Sequence, residues 1–142
     1  MLKLTDVILT YPDGDDRVTA LDNVSLTVES NTFAAVTGPS GSGKSSLLAV
    51  ASTLVTPDSG HVDIDGTDIT TLNSKGKAAL RRSKLGIVFQ SPNLIPSLSV
   101  REQLEVVLRM GSRGARERGM AQIPEVLDAV GCSQLADRLP AQ

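Results

Sequence analysis

The run Gly38-Pro39-Ser40-Gly41-Ser42-Gly43-Lys44-Ser45 combines residue types and spacing that chemistry can use. It satisfies G-x-x-x-x-G-K-[ST], the phosphate-binding loop pattern, or P-loop. Gly38, Gly41 and Gly43 let the backbone turn tightly enough for successive N–H groups to converge on phosphate oxygens. In this pattern the lysine reaches the β- and γ-phosphates, and the following hydroxyl completes the shell of a Mg²⁺ ion. Lys44 and Ser45 hold those places here. The chemistry indicated is the binding of a nucleoside triphosphate.

Such a loop works only between a strand and a helix. Phe33-Ala34-Ala35-Val36-Thr37 reads as a short buried strand, and 44–54, with Leu47, Leu48, Val50 and Ala51, reads as a helix. That order aims the helix N-terminus, with its unpaired N–H groups and positive dipole end, at the bound anion.

The flanking elements follow from apolar spacing. Leu2, Leu4, Val7, Ile8 and Leu9 predict a strand over 2–10, and 13–16 a turn. Val24, Leu26 and Val28 alternate with Ser25 and Thr27, which predicts a half-buried strand. A turn at 57–60 precedes a short strand with Val62 and Ile64, closed by Asp65-Gly66. Ser74 is the expected N-cap of a polar helix to about Ser83. The run 85–89 (Leu-Gly-Ile-Val-Phe) is continuously apolar, as in a buried parallel strand. Residues 91–97, with prolines at 92 and 96, predict a loop. Ser99 then caps a helix with Val100, Leu104, Val107 and Leu108 on one stripe. Pro124 starts or kinks a later helix, which Gly131 stops.

Composition narrows the class. The chain has 142 residues, 40% of them hydrophobic, enough for one domain with a moderate core. Lys and Arg number 14 against 16 Asp and Glu, which gives no electrostatic case for nucleic acid. Aromatics make up 2%, too few for a base-stacking platform along a strand of nucleic acid. The lone cysteine, Cys132, forms no intramolecular disulfide and fits a reducing compartment. No apolar run approaches the ~18 residues of a membrane span. His61 opens a strand and is expected to be structural. Lys75, Lys77, Arg81, Arg82 and Lys84 are expected to form a solvated helix face.

Several segments together resemble the nucleotide-binding domain of ATP-binding-cassette (ABC) transporters. They are GPSGSGKSS followed by Leu47-Leu48, Thr56-Pro57-Asp58-Ser59-Gly60-His61-Val62, Gly86-Ile87-Val88-Phe89-Gln90, and Asn93-Leu94-Ile95-Pro96-Ser97-Leu98-Ser99-Val100. The wording is nearest to the macrolide-exporter and lipoprotein-release group. The resemblance implies an α/β fold. A P-loop NTPase core, with a parallel sheet and flanking helices, follows an antiparallel β subdomain and precedes a partial helical subdomain. On this basis the chain is the N-terminal part of one nucleotide-binding domain. Its antiparallel β region covers 1–32 and 60–70, the P-loop core 33–56 and 84–90, and the Q-loop and helical subdomain 91–142.

The resemblance also carries site residues. It implies that Tyr11 stacks on adenine. Gly38, Pro39, Ser40, Gly41, Ser42, Gly43, Lys44 and Ser45 would cradle the phosphates. Ser46, where the family more often has threonine, would keep an α-phosphate contact. Gln90 would help Ser45 hold Mg²⁺, position the attacking water, and link nucleotide state to the transporter. Lys44 and Gln90 are thus the candidate catalytic residues, and ATP with Mg²⁺ the implied cofactors. The implied partners are a membrane-spanning permease, met through the Q-loop and helical region, and a second nucleotide-binding domain arranged head to tail. The implied location is the cytoplasmic face of the cell membrane.

Other family features have no counterpart in the sequence. No apolar strand ends in an aspartate followed by a glutamate, the pair that would complete the metal shell and act on the water. The Leu-Ser-Gly-Gly-Gln signature and the switch histidine are not found either. Leu135-Ala136-Asp137-Arg138-Leu139-Pro140-Ala141-Gln142 looks like the approach to the signature, and the chain stops about where it should begin. The expectation is a truncated domain that binds Mg-ATP at most. Without the later strands, 33–37 and 85–89 are expected to have unpaired edges and exposed faces. Two other assignments fit the loop: a nucleotide kinase, which would place the P-loop nearer the N-terminus, and a non-catalytic fragment with a vestigial P-loop.

Overall fold

The computed structural model describes residues 1–91, 93–111 and 113–141; Pro92, placed in a loop above, lies outside them, as do Ser112 and Gln142. The chain divides into two compact units, Met1–Ile87 and Val88–Gln142.

The first unit is built on a four-stranded antiparallel sheet in the order β2-β1-β3-β4. The strands are β1 (Leu2–Asp13), β2 (Asp16–Val28), β3 (Ser59–Ile64) and β4 (Thr67–Asp68). Helix α1 (Lys44–Ala51) packs on it through Val50, which is fully buried with Leu4, Val7, Leu9, Leu21, Val62, Ile64 and Ile69. Burying each such side chain contributes about 1.5–3 kcal/mol.

Strict alternation in β1 breaks between Leu4 and Val7, yet both face the core. A bulge reconciles the two facts. Leu4 pairs with Leu26 and Val7 with Val24, so β1 carries one extra residue, and Asp6 takes φ 50 there. Bulges on β2 follow. Leu9 opposite Leu21 leaves Asn23 (φ 52) beside an extra residue, and Thr10 opposite Thr19 leaves Ala20 unpaired. The distal arm of the hairpin, 10–13 with 16–19, therefore runs on beyond three interruptions of the ladder. Its residues are mostly exposed, which is why no apolar alternation announced β2 before Val24.

Helix α2 (Ser74–Lys84) begins one residue away from the expected cap. Asn73, in extended backbone, accepts from the Gly76 N–H at 2.9 Å, so Ser74 is the first helical residue rather than the cap. In the basic cluster, Lys75, Arg82 and Lys84 are exposed as expected, whereas Lys77 and Arg81 are half-buried. Arg81 donates to the Thr53 carbonyl at 2.9 Å and to its hydroxyl at 3.0 Å, serving the buried chain end that follows α1. Lys77 donates to Thr56 at 2.7 Å, and Lys84 lies 3.7 Å from Asp65.

The expected parallel strands do not form among the described residues. Residues 33–37 belong to no sheet, and Phe33 is 97% exposed. The run 85–89 is likewise outside any sheet: Leu85 packs at the edge of the core, while Val88 is 98% exposed. A central strand gains its hydrogen bonds only from neighbours, and neither segment has one in the sheet described. This is the exposure expected for these two runs.

The second unit is helical. Helix α3 (Val100–Arg109) opens with a capping box: Ser99 Oγ accepts from the Glu102 N–H, and Glu102 Oε2 accepts from the Ser99 N–H at 2.8 Å. Two further N–H groups at its start, of Val100 and Arg101, donate to the carbonyls of Arg138 and Ala136. Helix α4 (Arg113–Ala129) runs through Pro124, which lies inside it, and Gly131 (φ 68) follows its end. Gly119 lets α4 approach α3, since a Cβ there would meet Leu108 Cδ2 at 2.4 Å. Ile123, Leu127 and Ala136 form the core, with Leu104, Leu108, Met120 and the half-buried Cys132 packed against it.

Candidate functional site

The P-loop folds into a backbone concavity leading into α1. Gly38, Gly41 and Gly43 have φ of 150°, 81° and 84°, a region costly for side-chain-bearing residues. Gly43 is the tightest point. A Cβ there would lie 2.3 Å from the Ala20 carbonyl oxygen, so the loop sits directly on the bulge of β2. Gly43 is the N-cap residue and offers no side-chain acceptor to the first turn of α1, whose N–H groups therefore face the concavity without a protein cap.

Lys44 folds back over the loop. Its ammonium donates to the carbonyls of Gly38 (2.9 Å) and Pro39 (2.6 Å) and to Ser42 Oγ (3.4 Å). A positive charge is thus held on the loop that leads into the first turn of α1, which has no side-chain cap. Donors, dipole and cation have one sign, and a polyanion fits them.

A pocket of about 530 Å³ opens here, lined by Tyr11, Val18, Ala20, Gly43, Lys44 and Ser45, among others. Ser40, Gly41, Ser46 and Thr19 also line it. Tyr11 and Val18 are directly opposed in the β1–β2 ladder, so their side chains share one face of the sheet. One end of the pocket is therefore aromatic and aliphatic, and the other is amide, ammonium and hydroxyl. Of the sequence candidates, Tyr11 and the loop residues from Ser40 to Ser46, except Ser42, meet at this pocket. Gly38, Pro39 and Ser42 are joined to it through Lys44. Gln90 belongs to the second unit, exposed in a bend ahead of α3.

Val18, Thr19 and Ala20 are site residues that the sequence does not reveal. The signal for Val18 comes only through the register, because nothing in the residue itself marks a pocket. His61 Nδ1 lies 3.0 Å from Asp68 across the β3–β4 hairpin, and neither residue lines the pocket. Among the described residues, no group of three or more His, Cys, Asp or Glu side chains converges on a metal site. No helix among them is long and apolar enough to cross a membrane.

Comparison with known proteins places these features in context. The family model described as "ABC transporter" matches residues 21–142. The lipoprotein-releasing system ATP-binding protein LolD 1 of Rhodopirellula baltica is 35% identical over 142 residues, covering 100% of this chain and 62% of that protein. The macrolide export ATP-binding/permease protein MacB of Brucella abortus is 37% identical over 143 residues, which is 22% of its length. The structure of the ATP-binding cassette MJ0796 bound to ADP and Pi superposes with a TM-score of 0.91 at 36% identity, covering 100% of this chain and 62% of that one. MJ0796, from Methanocaldococcus jannaschii, is described as an uncharacterized ABC transporter ATP-binding protein. The chain thus spans less than two thirds of the length of these relatives, and its fold is that of an ATP-binding cassette over that span.

Proposed function

The chain belongs to the ABC transporter family, and we propose that it is the nucleotide-binding part of an ATPase subunit that powers export or release through a membrane partner. The observation that carries this proposal is the joining of Tyr11 to the P-loop around one pocket. The apolar end suits a purine and the donor-rich end suits a triphosphate.

Mg-ATP supplies the phosphoanhydride whose cleavage drives work. Tyr11 offers a ring face to the base. The N–H groups of the loop and of the first turn of α1 hold phosphate oxygens. Lys44, which donates to the Gly38 and Pro39 carbonyls, would donate to phosphate oxygens when the nucleotide is bound. The Ser45 hydroxyl would be a ligand of Mg²⁺, and Ser46 would contact the α-phosphate. Gln90 is assigned to the metal, the water and the link to the transporter. A carboxylate for the metal shell and a residue that activates water have no counterpart in these 142 residues, so the chain alone is expected to hold Mg-ATP without turning it over.

The LolD and MacB likenesses favour a permease as the partner, met through the region 91–142, and hence a position at the cytoplasmic face of the membrane. The dimeric MJ0796 structure supports pairing with a second nucleotide-binding domain. On this reading the antiparallel β region, the P-loop core, and the Q-loop and helical part belong to one nucleotide-binding domain. Titration with Mg-ATP tests the function. Lys44→Ala should lose about 10–100-fold in affinity, the worth of a charged hydrogen-bond donor. Equal titrations for both forms would refute nucleotide binding through this loop.

A further inference from the structure

The arm of the hairpin that carries Tyr11 lies beyond the ladder interruptions at Asn23 and Ala20. Backbone continuity alone gives such an arm freedom to twist, because each bulge loosens the pairing that would fix it. A second attachment is present on the opposite face. Asp58, in the turn between α1 and β3, accepts through Oδ2 from the Thr10 N–H at 2.7 Å and from the Thr10 hydroxyl at 2.8 Å. Arg17 Nε donates to the Thr10 hydroxyl oxygen at 2.7 Å, and its guanidinium lies 3.5 Å from Asp58 Oδ1. The Asp58 N–H also donates to the Ile8 carbonyl at 2.9 Å.

Thr10 immediately precedes Tyr11, and Arg17 immediately precedes Val18. Neighbouring residues in a strand point to opposite faces. The pair Tyr11–Val18 therefore lines the pocket while Thr10 and Arg17 meet Asp58 behind it. From this placement we infer that Asp58, acting through Thr10 and Arg17, is a positioning residue for the nucleotide base. It ties the arm bearing Tyr11 and Val18 to the turn at the far end of the P-loop helix. The distance between base platform and phosphate cradle is then fixed by three side chains rather than by a free hairpin tip. The inference rests on the nucleotide-binding reading above. The hydrogen bonds from Thr10 hold the Asp58 carboxyl below the usual carboxylate range, so the acceptor is charged at neutral pH.

The test compares Mg-ATP with Mg-tripolyphosphate, which carries the phosphates and no base, on the 142-residue chain. Wild type should prefer ATP. Asp58→Ala should lower ATP affinity about tenfold, toward the tripolyphosphate value, as when a stacked base is displaced. Tripolyphosphate affinity should stay within about twofold, since P-loop contacts are untouched. Asp58→Asn, which keeps an acceptor for Thr10, should restore most of the preference. Should Asp58→Ala lose its circular-dichroism signature of folding, Arg17→Met decides the matter, because that side chain is 59% exposed and its loss leaves the ladder intact. An unchanged ATP preference in the decisive variant, or equal loss of both ligands, overturns the positioning role and leaves nucleotide binding standing. Wild type that does not discriminate ATP from tripolyphosphate also overturns it. Wild type that binds neither ligand overturns the nucleotide reading itself.

Discussion

Replacing Gly43 by alanine isolates the contact that seats the P-loop on the sheet. Two costs add. The residue has φ 84, and an alanine held in left-handed backbone costs about 1–2 kcal/mol. Its Cβ would also lie 2.3 Å from the carbonyl oxygen of Ala20, well inside the 3.0 Å below which real Cβ contacts essentially never fall. That oxygen belongs to backbone, so the strand or the loop must shift, and forced overpacking of this kind costs about 1–3 kcal/mol. Gly43→Ala should therefore cost about 2–5 kcal/mol in all. Gly41 supplies the control. It has φ 81, but a methyl group there would have nothing within 4 Å, so Gly41→Ala should cost the strain alone, about 1–2 kcal/mol. Urea unfolding followed by circular dichroism gives both values from the midpoints, provided the slopes agree. Equal losses for the two variants would show that the loop is not seated against Ala20, and the account of the pocket floor would fall with it.

Three further outcomes are expected at other positions in the chain. Ser99→Ala removes one half of the capping box of α3 and should cost about 1 kcal/mol in urea unfolding; an unchanged midpoint contradicts the cap. The carboxyls of Asp58, Asp68 and Glu102 are held below their usual range by hydrogen bonds from Thr10, Thr70 and Ser99 respectively. Each binds its proton less readily folded than unfolded, so the stability it gives is whole above the unfolded pKa near 4 and is lost as pH falls through the lower folded value. Urea midpoints at pH 7, 5 and 3 should drop mainly in the last interval, and a drop confined to the first contradicts the assignment. Finally, with 33–37 unpaired and Phe33 and Val88 almost fully exposed, the 142-residue chain should self-associate with rising concentration. A monomeric sedimentation profile together with a cooperative thermal transition would count against this.

The parts of the fold that could be read in advance are those whose residues decide their own surroundings. Ser99 ahead of an apolar stripe specifies a helix start without reference to the rest of the chain, and the structure adds the reciprocal bond with Glu102. Val24 and Leu26, or Val62 and Ile64, alternate because one face of each strand packs against the core. The P-loop is legible because its pattern is a single run of consecutive residues, Gly38 to Ser45. The rest depends on partners that sequence order conceals. The bulges at Asp6, Asn23 and Ala20 are properties of register between two strands, and only after the register is known does Val18 come to lie opposite Tyr11. Asn73 and Ser74 are both good caps, and the choice between them turns on which one takes extended backbone.

The runs 33–37 and 85–89 make the same point from the other side. Their apolar composition is right for strands buried on both faces, but a buried strand needs ladders on both edges, and composition cannot supply them. The segment 33–37 is nevertheless what leads the chain into Gly38. The cradle itself does not wait for that strand to be paired: Gly43 rests on Ala20, and Lys44 is held by Gly38 and Pro39, all within the antiparallel unit. The shape of the loop and the completion of the sheet are thus separable in this chain, because the contacts that shape the loop run to β2 and to the loop's own carbonyls. Whatever pairs 33–37 should therefore change stability and association far more than it changes the geometry of the loop.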